Sequence, residues 1–314
     1  MTQYLLKQLA ASVLVLFIVV SVTFFILQMA PGSLGLLADP NMDPAVAENI
    51  RRNYGLDEPV LVQYGKWIGN LLRGDLGMSL MFRRPVLAMI LERLPLTLVL
   101  GGAALLVTLV VGIGAGIVSA RKPNSLMDQV FSFVSFVGLA IPNFWLGIML
   151  IILFSVQLGW LPSSGTHTIG QPFSLLDRLS HLTLPALVLA TSTAAELMRF
   201  TRSSWLDIQE QDYVRTARSK GLGETAVQGR HVMKNAMIPV LTIFGLFLTR
   251  LLGGTAIIES LFAWPGMGSM AVNAAVARDA PLVLGITIFV AAGVILSNLL
   301  IDALYPLFDP RVRY

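Results

Sequence analysis

Side chains able to make or break bonds are scarce in this chain. It has no cysteine, which excludes disulfides, thiolate metal ligands and thiol catalysis. His167, His181 and His231 lie far apart, without the HxxxH or HxH spacing that would gather a metal ion. No GxxxxGK(S/T) loop is present to cradle a nucleotide, and neither HExxH nor GxSxG occurs. Ser269 follows a protease-like Gly266-Met267-Gly268, but neither neighbouring apolar span supplies a histidine to activate it. The chemistry that remains is charge. Arg199 to Pro239 is a long polar segment between two apolar spans, with Arg202, Asp207, Glu210, Asp212, Tyr213, Arg215, Thr216, Arg218, Lys220, Arg230, His231, Lys234 and Asn235. Single charges inside apolar stretches are costly and mark function. Arg250 falls midway along an apolar span, followed by Gly253-Gly254. It is a candidate for a water-filled path, where it would meet a substrate carboxylate or a metal-ligand complex. Pairing with Glu196 or Asp302, or snorkelling, serves it equally. Glu259, at the outer end of that span, suits a pore mouth or plain solvation. Glu196 is counted with them as a candidate path residue, although it sits near a span end where snorkelling is easy.

These residues stand in a chain that reads as membrane. Of its 314 residues 55% are hydrophobic and 13% charged, half the charge of an ordinary soluble domain, and mean hydropathy is +0.74. A spanning helix needs about 20 apolar residues. Leu9–Ala30 meets this. It is too long for a signal-peptide core and lacks a small-x-small site after it, so it reads as an uncleaved first span over 1–30. Residues 31–95 differ, with seven basic and seven acidic side chains. Turns are expected at Pro31-Gly32, Asp39-Pro40 and Asp43-Pro44, and helices over Ala45–Tyr54 and Val60–Leu72, the second with Tyr64 and Trp67 on one face. This is a small subdomain outside the membrane, with Trp67 suited to the lipid–water boundary. Further spans are expected at Leu96–Ala120, Val130–Leu161, Leu182–Met198, Met237–Ile258 and Pro281–Leu304. The glycines of the second, Gly112, Gly114 and Gly116 among them, permit close helix approach. The third is interrupted at Pro142-Asn143 and reads as one long broken span or as a re-entrant half-helix followed by a span.

Six spans leave both termini on one side, and basic residues in short loops say which. Lys7, Arg121, Lys122, Arg199, Arg202, Arg215, Arg218, Lys220, Arg230, Lys234, Arg311 and Arg313 share a side, against Arg178 and Arg278 opposite. The termini and the 199–239 segment are therefore expected in the cytoplasm, with 31–95 outside. Trp205–Lys220 is expected to be helical, with Leu206, Tyr213, Val214 and Ala217 on one face. Gly221 would end it, and Gly223 would cap a second piece beginning at Glu224. Such a helix–glycine–helix knob suits docking into a partner's groove or lying on anionic lipid. Basic residues mixed with acids beside lipid do not call for nucleic acid.

The stretch Asp212-Tyr213-Val214-Arg215-Thr216-Ala217-Arg218-Ser219-Lys220-Gly221, with Arg230-His231 and Lys234-Asn235-Ala236-Met237-Ile238-Pro239, resembles the EAA loop of ABC importer permeases. It is closest in kind to the dipeptide, oligopeptide, glutathione and nickel group. Met29-Ala30-Pro31-Gly32, Tyr54-Gly55-Leu56-Asp57-Glu58-Pro59, Gly74-Asp75-Leu76-Gly77-Met78-Ser79, Arg93-Leu94-Pro95-Leu96-Thr97-Leu98, Ile141-Pro142-Asn143-Phe144-Trp145, Gly159-Trp160-Leu161-Pro162 and Phe262-Ala263-Trp264-Pro265-Gly266-Met267-Gly268 recur there in this order. Arg215-Thr216-Ala217 stands where the general consensus has Glu-Ala-Ala, a variation the subgroup shares, so no role needing an acid is placed there.

The resemblance implies an all-α polytopic membrane protein with six transmembrane helices. Residues 96–306 would form a MetI-like type I importer core, 31–95 an extracytoplasmic subdomain, and 307–314 a cytoplasmic tail. It implies the bacterial plasma (inner) membrane. It also implies a second homologous permease subunit, two cytoplasmic ABC ATPase subunits and an extracytoplasmic substrate-binding protein, in contact with membrane lipid. ATP and magnesium would belong to the partners, with no cofactor, metal or catalytic residue in this chain. Tyr213, Arg215, Thr216, Ala217, Lys220, Gly221, Arg230 and Asn235 would form the ATPase-docking loop. The implied cargo is a di- or oligopeptide, with nickel chelates and glutathione as alternatives. The rival class is an ion-coupled secondary transporter, whose inverted repeats and midplane charge pairs are not evident here. If Arg250 lines the path, Arg250→Leu will lower uptake while the ATPases still co-purify, and undiminished uptake would remove it from the path.

Overall fold

The computed structural model describes residues 2–29, 45, 48, 52, 55 and 57–308. Within these, the side chains of 2–7, 238, 241, 242, 244–254 and 302–308 are not described. The expected turns between 31 and 44, most of the Ala45–Tyr54 helix, and the tail from 309 lie outside the described residues. The described chain is helical, with one isolated strand-like pairing, Met78 with Pro85. The elements are α1 (Thr2–Met29), α2 (Val60–Leu72), α3 (Val86–Arg121), α4 (Leu126–Ala140) and α5 (Asn143–Leu150), which passes into a π-helical stretch (Ile151–Gln157). Then come α6 (Leu175–Gln209), α7 (Asp212–Ser219), a single turn Glu224–Ala226 running into a second π-helical stretch (Val227–Met233), α8 (Lys234–Leu261), α9 (Met267–Val276) and α10 (Ala280–Phe308).

Among the described residues, three helices are long and apolar enough to cross a membrane by themselves: Gln8–Met29, Val86–Arg121 and Ala280–Ile301. A fourth is counted if α4 and the segment after Pro142 form one span, but that pair is bent by 106°. Ile141 precedes a proline and so leaves the helical region, at ψ 126. The break is therefore a corner, sharper than the kink of a helix that continues through proline. The expected fourth, fifth and sixth spans lie inside α6, α8 and α10, and the second inside α3. Two of these helices are longer than expected. α3 starts at Val86 and carries Pro95 within it. α6 starts at Leu175, where the Ser174 hydroxyl accepts the Asp177 N–H, and runs on to Gln209.

The chain divides into two compact units, one drawn from 1–96 and 266–295, the other from 97–265 and 296–314. In the first, α2 turns Tyr64 and Trp67 onto Phe24 of α1, with ring centroids 5.3 and 5.5 Å apart. Trp67 is thus stacked on protein. The Ser21 hydroxyl meets the Tyr64 hydroxyl at 2.6 Å. Val86, Ile90, Met267, Ala274, Leu282 and Ile286 form the core of this unit. Beside it the fully buried Asp279 carboxylate accepts the Leu80 and Met81 N–H groups at 3.1 Å and the Ser79 hydroxyl. A buried charge needs such partners, and this one fixes the turn before α3.

In the second unit α6 is central, packing against α4, α5 and α8. Gly112 and Gly116 bring α3 against it: a Cβ on Gly116 would lie 2.6 Å from Thr201 Cβ and 2.8 Å from the Met198 carbonyl. A backbone carbonyl cannot yield as a flexible side chain can, whereas a Cβ on Gly114 meets nothing within 4 Å. Gly116→Ala should therefore cost about 1–3 kcal/mol through overpacking, read as a lower Tm in detergent, while Gly114→Ala leaves Tm unchanged or slightly raised. Equal Tm values for the two variants would contradict this packing.

Candidate functional site

The cytoplasm-assigned segment begins inside α6. Trp205, expected to open the knob's own helix, instead belongs to the long helix and is completely buried. Around it pack Ala120, Val214, Ala217, Val227, Val232 and Ala236. α6 therefore inserts an indole into the middle of the knob, and the knob is built on the helix that carries Glu196. The Ser204 hydroxyl adds a bond to the Ala236 carbonyl at 2.8 Å.

α7 ends where glycine was expected to end it. Gly221 has φ +80, a left-handed conformation costly for other residues. Its N–H donates to the Arg218 carbonyl at 2.9 Å. Gly223 then caps the turn that starts at Glu224. Across the bend Arg218 forms a bidentate pair with Glu224, at 3.1 and 2.9 Å. Its guanidinium holds the Glu224 carboxyl below the usual carboxylate range, and Glu224 raises Arg218 in turn. A depressed carboxyl contributes above its unfolded pKa, and that contribution is lost as pH falls through its folded value.

The expected apolar face divides. Val214 and Ala217 turn inward and are buried in the knob's own core. Ala217 thus holds the knob together and offers a partner almost no surface. Tyr213 turns outward, 44% exposed, among exposed Arg215, Thr216, Lys220, Gly221 and Arg230. Asn235 is half-buried, with its amide donating to the His231 carbonyl at 2.8 Å. What α7 presents outward is thus an aromatic ring in a cationic and hydroxyl rim.

An ion pair absent from the sequence reading anchors this end of the unit. Arg202 donates through Nε and Nη2 to the two oxygens of Asp128, at 2.7 and 2.8 Å. Asp128, 3% exposed, also accepts the Ser119 hydroxyl and the Asn124 N–H. The sequence carries a trace of it: Ser125-Leu126-Met127-Asp128 fits the pattern of a helix start at α4, and Ser125 Oγ does accept the Asp128 N–H at 3.3 Å.

Of the three candidate path residues, Glu196 and Glu259 have described side chains. Arg250 is on α8 in the stretch whose side chains are not described, as is Asp302 on α10, so the pairing offered for Arg250 lies outside the described residues. Glu259 is fully buried, not solvated, and among its partners is the Thr97 hydroxyl at 2.8 Å. Glu196 is half-buried in the wall of an open cleft of about 790 Å³ between α4 and α6.

A family model described as binding-protein-dependent transport system inner membrane component matches residues 112–314, and a companion model for the N-terminal part of such components matches residues 1–101. The chain is 42% identical over 316 residues to the oligopeptide transport system permease protein AppB of Bacillus subtilis, covering 100% of both chains. It is 39% identical over 315 residues to the glutathione transport system permease protein GsiC of Escherichia coli, again covering 100% of both. Among solved structures its fold resembles the MetNI methionine ABC transporter in inward-facing conformations, with a TM-score of 0.55 and 15% identity over 71% of this chain and 97% of that one.

The Asp128–Arg202 clamp is open to test. Arg202→Met strands a buried carboxylate and should cost on the order of 3 kcal/mol, seen as a lower Tm. Asp128→Asn with Arg202→Met should cost less than the two single changes summed. Strict additivity would show that the pair does not couple the helices.

Proposed function

Because the chain belongs to the binding-protein-dependent transport system inner membrane components and is thus an ABC importer permease subunit, we propose that its cargo is a di- or oligopeptide. Support for peptide comes from full-length relatives named for oligopeptide and peptide transport; another relative is named for the transport of glutathione, which is chemically a tripeptide. In this reading the chain crosses the bacterial inner membrane six times with both ends in the cytoplasm. It holds a MetI-like core and an extracytoplasmic subdomain over 31–95, and pairs with a second, similar permease. Two cytoplasmic ATPases bind ATP and magnesium, and an extracytoplasmic protein delivers the peptide. Nickel chelate is the alternative cargo.

The observation that carries the coupling role is the division of α7 into a buried and an exposed face. Val214 and Ala217 fix the knob to Trp205, so force on its outer surface reaches α6 directly. Tyr213, Arg215, Thr216 and Lys220 are proposed as the contacts to the ATPase, with Gly221 setting the bend and Arg230 and Asn235 flanking it. Arg250, Glu196 and Glu259 are proposed for the path. Glu259 is buried, so it becomes reachable only when its surroundings, the Thr97 hydroxyl among them, move away.

Tyr213→Asp places a carboxylate at the centre of the docking face without touching the knob core. It should leave the chain in the membrane and abolish ATP-driven peptide uptake, as should loss of the Walker lysine in a partner ATPase. Full uptake with Tyr213→Asp would count against the docking face. Uptake by the isolated chain in liposomes without ATP would favour an ion-coupled carrier.

A further inference from the structure

Two motifs that the coupling role leaves unused, Gly55-Leu56-Asp57-Glu58-Pro59 and Gly74-Asp75-Leu76-Gly77-Met78, meet at a pocket in the first unit. Gly55 and Glu58 line it from one motif, and Asp75 to Met78 from the other. Its volume is about 350 Å³, in the lower part of the range for small-ligand sites.

The spanning part of α1 ends at Met29, and that of α10 begins at Ala280. Leu27 and Gln28 at the end of the first span line the pocket, as do Ala280 and Pro281 at the start of the second. The membrane surface therefore passes through it. Ile26 and Met29, beside the pocket on α1, are exposed and leave apolar helix surface at its edge for acyl chains.

The polar wall carries three charges. Lys66 Nζ bonds to Glu58 Oε1 at 2.5 Å, so these two offset each other. Asp75 accepts the Gly77 N–H at 2.8 Å through Oδ1 and has no cation paired with it among the described residues. The wall is left with one net negative charge. The other oxygen of Glu58, Oε2, is buried and receives no hydrogen bond. A carboxylate oxygen shut off from water calls for a donor. The turn bearing Glu58 is tied down: the Gln63 amide donates to the Glu58 carbonyl at 2.8 Å, and its oxygen accepts from Gln28 at 2.8 Å. Lys66 spends one of three N–H groups on Glu58, and Asn70 follows it one turn along the same face of α2.

A cation with N–H groups fits this wall. A quaternary ammonium would satisfy the net charge but could donate nothing to Oε2. Among the described residues no group of three or more acidic or histidine side chains is placed to hold a metal ion. We propose that the pocket holds the headgroup of a phospholipid with a primary ammonium, such as phosphatidylethanolamine. The ammonium donates to Glu58 Oε2 near Asp75, the phosphate meets Lys66 and Asn70, and the acyl chains follow α1. Bound there, the lipid ties the outer turn of α1 to the two motifs.

The test reconstitutes the assembled transporter in nanodiscs holding equal parts phosphatidylethanolamine and phosphatidylcholine with the same acyl chains. Lipid retained on the complex is identified by native mass spectrometry. Wild type should retain phosphatidylethanolamine over phosphatidylcholine about tenfold, the worth of one hydrogen bond to a charged group. N,N-dimethyl phosphatidylethanolamine, which keeps one N–H, should also be retained over phosphatidylcholine. Glu58→Gln and Asp75→Asn should each bring the preference toward parity. Glu92→Gln, which breaks an exposed ion pair with Arg84 away from the pocket, should leave it as in wild type. Equal retention of the two lipids by wild type would overturn the proposal without recourse to any variant. So would a preference that survives both pocket variants, or one that Glu92→Gln lowers equally. If the pocket variants keep the lipid preference and instead weaken association of the substrate-binding protein, the pocket belongs to that partner and not to lipid. The readout needs neither peptide nor ATP, so failure of the cargo assignment would leave it standing.

Discussion

The end of the larger unit that carries the 199–239 segment depends on one bidentate ion pair. Asp128 and Arg202 are 74 residues apart in the chain, yet their four heteroatoms meet at 2.7 and 2.8 Å, with the carboxylate buried and the guanidinium half-buried. A carboxylate so placed is tolerable only when its lone pairs are filled. The Ser119 hydroxyl and the Asn124 backbone complete the set. Three elements are thereby fixed to one another: the end of α3, the first turn of α4 and the last third of α6. With that third of α6 held, Trp205 arrives at a defined place, and the knob can condense around it.

The knob inherits its rigidity from this arrangement. Isolated helices as short as α7 are marginal in water, and its eight residues carry little apolar surface. Its order comes from burying Val214 and Ala217 on an indole supplied by another helix, and from the Arg218–Glu224 bridge over the glycine bend. At its far side the chain leaves through the π-helical Val227–Met233 directly into α8, with no loop between. The knob is therefore joined stiffly to α6 at one end and to α8 at the other. In a permease driven by partner ATPases, a displacement applied at Tyr213 would pass into both helices without being absorbed by slack chain.

Much of this was legible in the residues. Long apolar runs put helices over each expected span, Gly221 marked the bend, and Pro142 marked the interruption of the third span. The knob was legible as a location and less so as a surface. Ala217 and Tyr213 were assigned to the same face by helical spacing, yet the structure separates them. The corner at Ile141 was visible as a break but not as a turn of 106°, because proline says that a helix stops and not where the chain goes next. Glu259 read as an exposed acid at a span end, and its burial against Thr97 depends on a residue 162 positions away.

Sequence alone determined what obeys local rules: apolar length sets a span, glycine permits φ +80 at position 221, and basic residues in short loops set the expected side of the membrane. The tertiary structure decided which face of each helix is inside. Period and propensity define a stripe, but a stripe turns inward only where another element supplies the complementary surface. For Val214, Ala217 and Asp128 that surface came from Trp205 and Arg202 on α6, and its position followed from the packing of glycines on α3 against α6, none of which is encoded within a window of neighbouring residues.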